Sequence, residues 1–145
     1  MTVSEQTACI MLSELFLDLE LPDFHFRWIA RELFPLKDLS PVKLKRLLRD
    51  EVFPVLWLNL TVIAGEWQEF DHKWLLSWIE FRRRWRVWAW ITSPLHFLAW
   101  IDMSEYFNEC FEKVMNHMEE MKMAAACEVD ANGAGGKSNE MGDID

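Results

Sequence analysis

Apolar residues recur along this chain at the three-and-four spacing of amphipathic helices, and no sustained stretch alternates with the period of two that a half-buried strand needs. Thr2-Val3-Ser4-Glu5 has the form of a capping box and predicts a first helix running to about Asp18. On it Ala8, Leu12, Leu15, Phe16 and Leu19 share a face, while Ile10 and Leu17 lie nearly opposite, so this helix is expected to be buried on more than one side. Pro22 and Asp23 suit the first turn of a second helix that carries Phe24, Trp28, Ile29 and Leu33 inward and stops before Pro35. Ser40-Pro41 starts a third, with Leu39 and Leu44 as a hydrophobic staple and Leu44, Leu47 and Leu48 facing in. Pro54 is expected to break it and open a fourth through Leu56, Leu60 and Ile63, closed by Gly65. Asp71 caps the fifth, with Phe70 and Leu75 placed to staple it.

Along that fifth helix Trp74, Trp78, Phe81, Trp85 and Trp88 fall within about 80° of arc, a stripe expected in the core. Ser93-Pro94 starts the last helix, and roughly 30 residues to Lys122 would span about 45 Å. Its positions Phe97, Trp100, Ser104, Phe107, Phe111, Val114, Met118 and Met121 alternate three and four apart, a heptad seam with one polar slip. An intramolecular bundle explains this seam as well as dimerisation does. From Ala124 the chain turns to Ala, Gly, Asn and acids without apolar periodicity. The expected fold is all-α: a compact irregular bundle of about six helices over residues 1–123, with a disordered acidic tail over 124–145.

Charge and composition narrow the partners. The 145 residues carry a formal net charge of -9, part of it on Glu128, Asp130, Glu140, Asp143 and Asp145. An acidic body repels a phosphate backbone and favours a basic protein partner, so nucleic acid is not expected. The longest uncharged runs, Val52 to Gly65 and Val87 to Ile101, are shorter than the roughly 18 residues of a spanning helix and contain Pro54, Asn59, Ser93 and Pro94. No membrane association is expected. Cys9, Cys110 and Cys127 are odd in number and far apart, which suits reduced thiols in a cytoplasmic protein.

Chemistry-bearing motifs are sparse. Gly65 is the only glycine before the tail, so phosphate-cradling loops are excluded, and no G-x-S-x-G elbow occurs. His25, His72, His96 and His117 lack partners at metal-ligand spacing. Glu14 and Asp18 share a helix face with Glu20 following, and Glu51 and Glu66 flank the fourth helix. Such acids can hold a divalent metal or act in acid–base work, but they read first as solvated faces. Arg82, Arg83, Arg84 and Arg86 spread over about 200° of arc. Arg84 is placed to pair with Glu80, while Arg82 and Arg86 continue the face of Leu75 and Ile79 and should meet carboxylates at its edge. No catalytic residue, cofactor or metal site is expected.

The segments Leu12-Ser13-Glu14-Leu15-Phe16-Leu17-Asp18 with Glu20, Ile29-Ala30-Arg31, Asp50-Glu51-Val52 with Pro54-Val55, Asn59-Leu60, Ala64-Gly65-Glu66-Trp67, Phe70-Asp71 and Trp74 are together distinctive. They resemble a family of small bacterial helical proteins without an assigned activity, over about residues 12–79. The resemblance implies a bacterial, cytoplasmic, α-helical domain and supplies no catalytic residue. Its most specific part, Glu66-Trp67 after Gly65, is either a structural lock to an arginine such as Arg31 or a face for a partner.

Nine tryptophans against one tyrosine bear on that choice. Trp28, Trp57, Trp74, Trp78 and Trp85 have positions a core can absorb, whereas Trp88, Trp90 and Trp100 surround Ser93-Pro94 and could form an exposed patch. The leading expectation is a non-enzymatic binding protein: a small acidic inhibitor or immunity protein that occludes a basic toxin or enzyme through Glu14, Asp18, Glu20, Glu66 and Trp67. The alternatives are a self-associating structural or adaptor protein dimerising through Phe107, Phe111, Val114 and Met118, and a hydrolase using carboxylates such as Glu51 and Glu66.

Overall fold

Three of the helices begin where a side chain satisfies the free N–H groups of the first turn. The computed structural model describes residues 1–17, 20–61 and 71–134, without the side chains of 58–61, 86, 88–89 and 130–134. Helix α1, Val3–Ser13, opens on the capping box: Thr2 Oγ1 accepts from the Glu5 N–H at 3.1 Å and Glu5 Oε2 accepts from the Thr2 N–H at 3.2 Å. It tightens into a 3₁₀ turn over Glu14–Phe16 and so ends earlier than the predicted Asp18. Helix α2 is Asp23–Leu33 and follows Pro22. Helix α3, Pro41–Leu47, starts with proline at its first position and Ser40 Oγ accepting from the Lys43 N–H at 3.2 Å. Helix α5, His72–Arg84, is capped by Asp71, whose carboxylate accepts from Lys73 and Trp74 N–H at 2.9 and 3.3 Å.

Pro54 does not break the chain as expected. A π-turn over Leu48–Val52 carries α3 directly into α4, Phe53–Thr61. The widened turn gives the pyrrolidine ring room against the preceding carbonyls, which a regular α-turn lacks. Helix α6, Arg86–Ala134, likewise runs through Pro94 instead of starting there; its 49 residues span about 74 Å. Pro94 lies on an exposed face with Trp90 one turn earlier, where water can take the carbonyl that proline leaves unpaired. The helix also continues past Met123 through Ala134, so the start of the expected disordered tail is helical. The run Ala124-Ala125-Ala126, read as low-complexity tail, is made of the best helix former. Described side chains from Lys122 to Val129 are all exposed, so this end projects beyond the body.

The described residues are all helical apart from turns, and five joined helical runs enclose one core. Its centre is aromatic. Phe16 and Phe107 lie 4.5 Å apart between ring centroids, and Phe53 meets Phe107 edge-on at 5.6 Å. Trp100 stacks on Phe107 at 5.9 Å and meets Phe53 edge-on at 5.0 Å. Around them pack Leu12 and Leu15 of the first run, Ile29 and Leu33 of α2, Leu44 and Leu48 of the third, and Leu75 and Ile79 of α5. On α2 the inward set is Phe26, Ile29, Ala30 and Leu33; Phe24, expected inside, is 71% exposed, and Trp28 is half-buried. The seam of α6 faces this same core, chiefly against α2. Phe107, Phe111, Val114 and Met118 are buried within the chain itself, which accounts for the heptad seam as intramolecular packing.

One expectation fails in an instructive way. Trp74, Trp78, Phe81 and Trp85 stay 43–52% exposed, and Leu75 and Ile79 take the core positions of α5. This helix carries two apolar stripes about 100° apart and can turn only one inward. Branched aliphatic side chains fill the space left beside α1 and α4, and the larger rings remain outside.

Candidate functional site

Helix α5, the π-turn and the first turns of α6 enclose a groove with two adjoining hollows that share Pro54 and Arg82. One, of about 310 Å³, lies under Trp74, Trp78 and Phe81, with Val55 and Thr92 opposite. The other, of about 550 Å³, is bordered by Arg49, Asp50, His96, Phe97 and Trp100. Both volumes fall in or near the range of small-molecule sites. The wider turn at 48–52 builds one wall, and π-turns of this kind recur at functional positions.

The outer rim is a ladder of rings. Centroids of Trp74 and Trp78 are 6.2 Å apart, Trp78 and Phe81 5.7 Å, and Phe81 and Trp85 6.1 Å. Fully exposed, each ring would present on the order of 200 Å², so at about half exposure the four offer roughly 400 Å² of apolar surface. The start of α6 adds exposed Val87, Trp90, Ile91, Leu95, Phe97 and Leu98.

Electrostatically the floor is simple. Arg49 is engaged by Asp50 at 2.6 and 3.0 Å, which raises its already high pKa. Burial lowers the pKa of the His96 imidazole, with the Arg82 cation acting in the same direction, and this keeps the ring neutral at pH 7. Its Nδ1 is buried without a partner, as is Nε1 of Trp57, whose ring meets His96 edge-on at 6.3 Å. Arg82 is partly buried, which lowers its pKa against the opposing pull of Glu51; it remains protonated at neutral pH. Among the described residues no carboxylate lies within 4 Å of it. Glu51 is taken by Arg83 Nε at 2.9 Å, and Arg83 Nη1 also reaches Glu5 at 3.3 Å. Lys43 Nζ holds the other Glu5 oxygen at 3.2 Å. This lock joins α1, the π-turn and α5 beside the groove. Among the described residues the ion-pairing arginine of α5 is therefore Arg83, and not Arg84 with Glu80 or Arg82 as expected; the Arg86 side chain lies outside the described residues.

The residues singled out for partner binding are placed differently. Glu14 lies in the 3₁₀ turn, 7% exposed, 3.4 Å from His25 Nε2 on α2, and so is not a surface acid. Glu20 is exposed and borders a small hollow between α2 and α6, beside Lys113. Asp18, Glu66 and Trp67 lie outside the described residues. Glu14 and Glu20 thus do not make one acidic face. The groove itself was not anticipated, although its signals were present: a proline inside an apolar helix at 54, and a charge at 82 continuing the stripe of Leu75 and Ile79.

The remaining reactive groups are quiet. Cys9 and Cys110 are buried; burial pushes the Cys9 thiol up to about 12 and raises that of Cys110, so neither supplies a thiolate. Among the described residues no three His, Cys, Asp or Glu converge as a metal site, and no helix is long and apolar enough to cross a membrane. What the groove offers is Arg82, a cation that no carboxylate among the described residues contacts, set among largely aromatic and aliphatic walls.

Residues 3–117 match the family described as a domain of unknown function, DUF7079, and the chain belongs to that family. No curated protein and no solved structure matches it.

Proposed function

We propose that this DUF7079 member is a protein-binding domain that acts by covering a partner's surface and carries out no chemistry of its own. The observation that supports the reading is the exposed ladder Trp74–Trp78–Phe81–Trp85, continued by the apolar start of α6. Tryptophan is the residue most enriched at binding hot spots, and an apolar patch of several hundred Å² marks an interaction surface in soluble domains. The core does not need these rings, because Leu75 and Ile79 already seal α5 against it.

The finer form is an inhibitor or immunity protein that occludes a basic toxin or enzyme in the cytoplasm. The net charge of -9 would draw such a partner in at long range. Glu105 and Glu112 of α6 are exposed, as are Glu109 and Glu119 with their partners Lys113 and Lys122, and these acids support the reading better than the buried Glu14. Aromatic anchors then slow release.

The test is affinity capture from the native host, followed by calorimetry with the purified partner. A one-to-one complex is expected, weakened about 30-fold or more by Trp78→Ala and unchanged by Val129→Ala. A complex that tolerates Trp74→Ala and Trp78→Ala together would end the proposal.

A further inference from the structure

We propose that the groove at the π-turn is a binding site for a small organic acid, its carboxylate held by Arg82 and its apolar or aryl body lying against Phe97, Trp100 and the inner edge of Trp78. The inference rests on Arg82 and the floor of the groove, and it shares only the inner edge of Trp78 with the outer ladder.

The argument is one of unmatched charge in a shaped space. Arg49 is paired with Asp50, which exposed Arg46 also reaches at 3.6 Å, and Glu51 is paired with Arg83. His96 contributes no charge at pH 7. Arg82 is thus, among the described residues, the cation that faces both hollows and has no carboxylate within 4 Å. A partly buried guanidinium that no described carboxylate contacts, and that feels Glu51 only at longer range, has given up part of its hydration, and a carboxylate is its best geometric match, since two parallel N–H groups reach both oxygens. The walls choose the remainder of the ligand. Apart from the Arg49–Asp50 pair at one border, they are aromatic, aliphatic and proline surface with Thr92, Ser93 and the neutral His96, so a polyhydroxylated or multiply charged anion would lose much of its water without replacement. Volumes of about 310 and 550 Å³ admit a body of roughly ten to fifteen heavy atoms and exclude a folded protein.

The probe is 4-phenylbutyrate, titrated into the full chain by calorimetry and followed through tryptophan fluorescence, beside its uncharged amide. The acid should bind saturably below about 1 mM and at least tenfold more tightly than the amide. Arg82→Gln should remove that preference, Phe97→Ala should weaken acid and amide alike, and Arg84→Gln, on the exposed side of the same helix, should change nothing. Equal affinity for acid and amide, full binding by Arg82→Gln, or no saturable binding up to about 10 mM would each overturn the proposal. The acid–amide comparison uses the wild-type chain, so it decides the matter even if a variant folds poorly.

Discussion

Replacing Arg83 with methionine should destabilise the fold more than neutralising its main partner does. Arg83 holds Glu51 at 2.9 Å and Glu5 at 3.3 Å, with the two carboxylate side chains only 21% and 14% exposed. Arg83→Met keeps the aliphatic stem but leaves two near-buried acids, one with no remaining cation in contact and one with Lys43 alone. Breaking a buried pair from one side costs about 3–5 kcal/mol; because a third of the Arg83 side chain is in solvent, the expected cost here falls to about 2 kcal/mol. Glu51→Gln is the milder change. Burial raises the Glu51 carboxyl pKa despite Arg83, so its charge is already disfavoured, and Arg83 keeps Glu5; a loss of about 0.5–1 kcal/mol is expected. The double variant should recover about 1 kcal/mol relative to the sum. Acidity supplies a second readout. The Glu5 pKa is lowered, first by its bond to the Thr2 backbone N–H, so its stabilisation is present above its unfolded pKa and lost as pH falls through the folded value. Glu51 is shifted the other way: its charge costs stability near neutrality, and that cost disappears as pH falls through its raised pKa. Removing Arg83 leaves Glu51 with an uncompensated burial penalty that protonation relieves, while Glu5 keeps Lys43 and the Thr2 N–H. Urea titrations at pH 7 and near pH 4 should show the gap between wild type and Arg83→Met narrowing in acid. A gap independent of pH, or a Glu51→Gln loss equal to that of Arg83→Met, would refute the lock.

Three further outcomes are expected. Phe107→Ala, at the centre of the ring cluster, should cost about 3–5 kcal/mol in chemical denaturation, while Trp90→Ala, 79% exposed, should stay within about 0.5 kcal/mol. In native protein at pH 8 a thiol reagent should label exposed Cys127 promptly, with Cys9 and Cys110 reacting only on unfolding, since Cys9 is buried and pushed up to about 12; fast labelling of Cys9 would contradict its burial. Ending the chain after Met123 should shift Tm by less than about 2 °C, because the described side chains beyond it carry no core contact.

Features set by chemistry within a few residues were legible before the structure. The caps at Thr2, Ser40 and Asp71 were foreseen because a side-chain oxygen and an N–H two or three residues later suffice to make them. The inward leucines of α3 and the α6 seam from Phe107 to Met118 follow from a single dominant stripe. Prediction failed where two local solutions compete and tertiary packing decides. Phe24 and Phe26 both fit an α2 face, and only the latter is inside. Prolines 54 and 94 were given their usual breaking role, whereas a π-turn and an exposed helical face accommodate them. The candidate groove was out of reach for the same reason: Asp50, Arg82 and His96 meet only after α5 and α6 have folded against the π-turn.

The division of α5 into an aliphatic inner stripe and an aromatic outer one also bears on why the chain is acidic. Leaving roughly 400 Å² of indole and phenyl surface in water invites non-specific association, and nothing in the core requires those rings to be there. Net charge of one sign opposes that association between copies. The same charge leaves the short-range character of the aromatic face intact, because at physiological ionic strength it is screened beyond about 8 Å. Beside the ladder the same helix carries Lys73, Arg82 and Arg84, with Glu80 on the helix and Asp71 at its cap as the acids. Overall acidity thus opposes contact between copies, while the aromatic face keeps its own short-range chemistry.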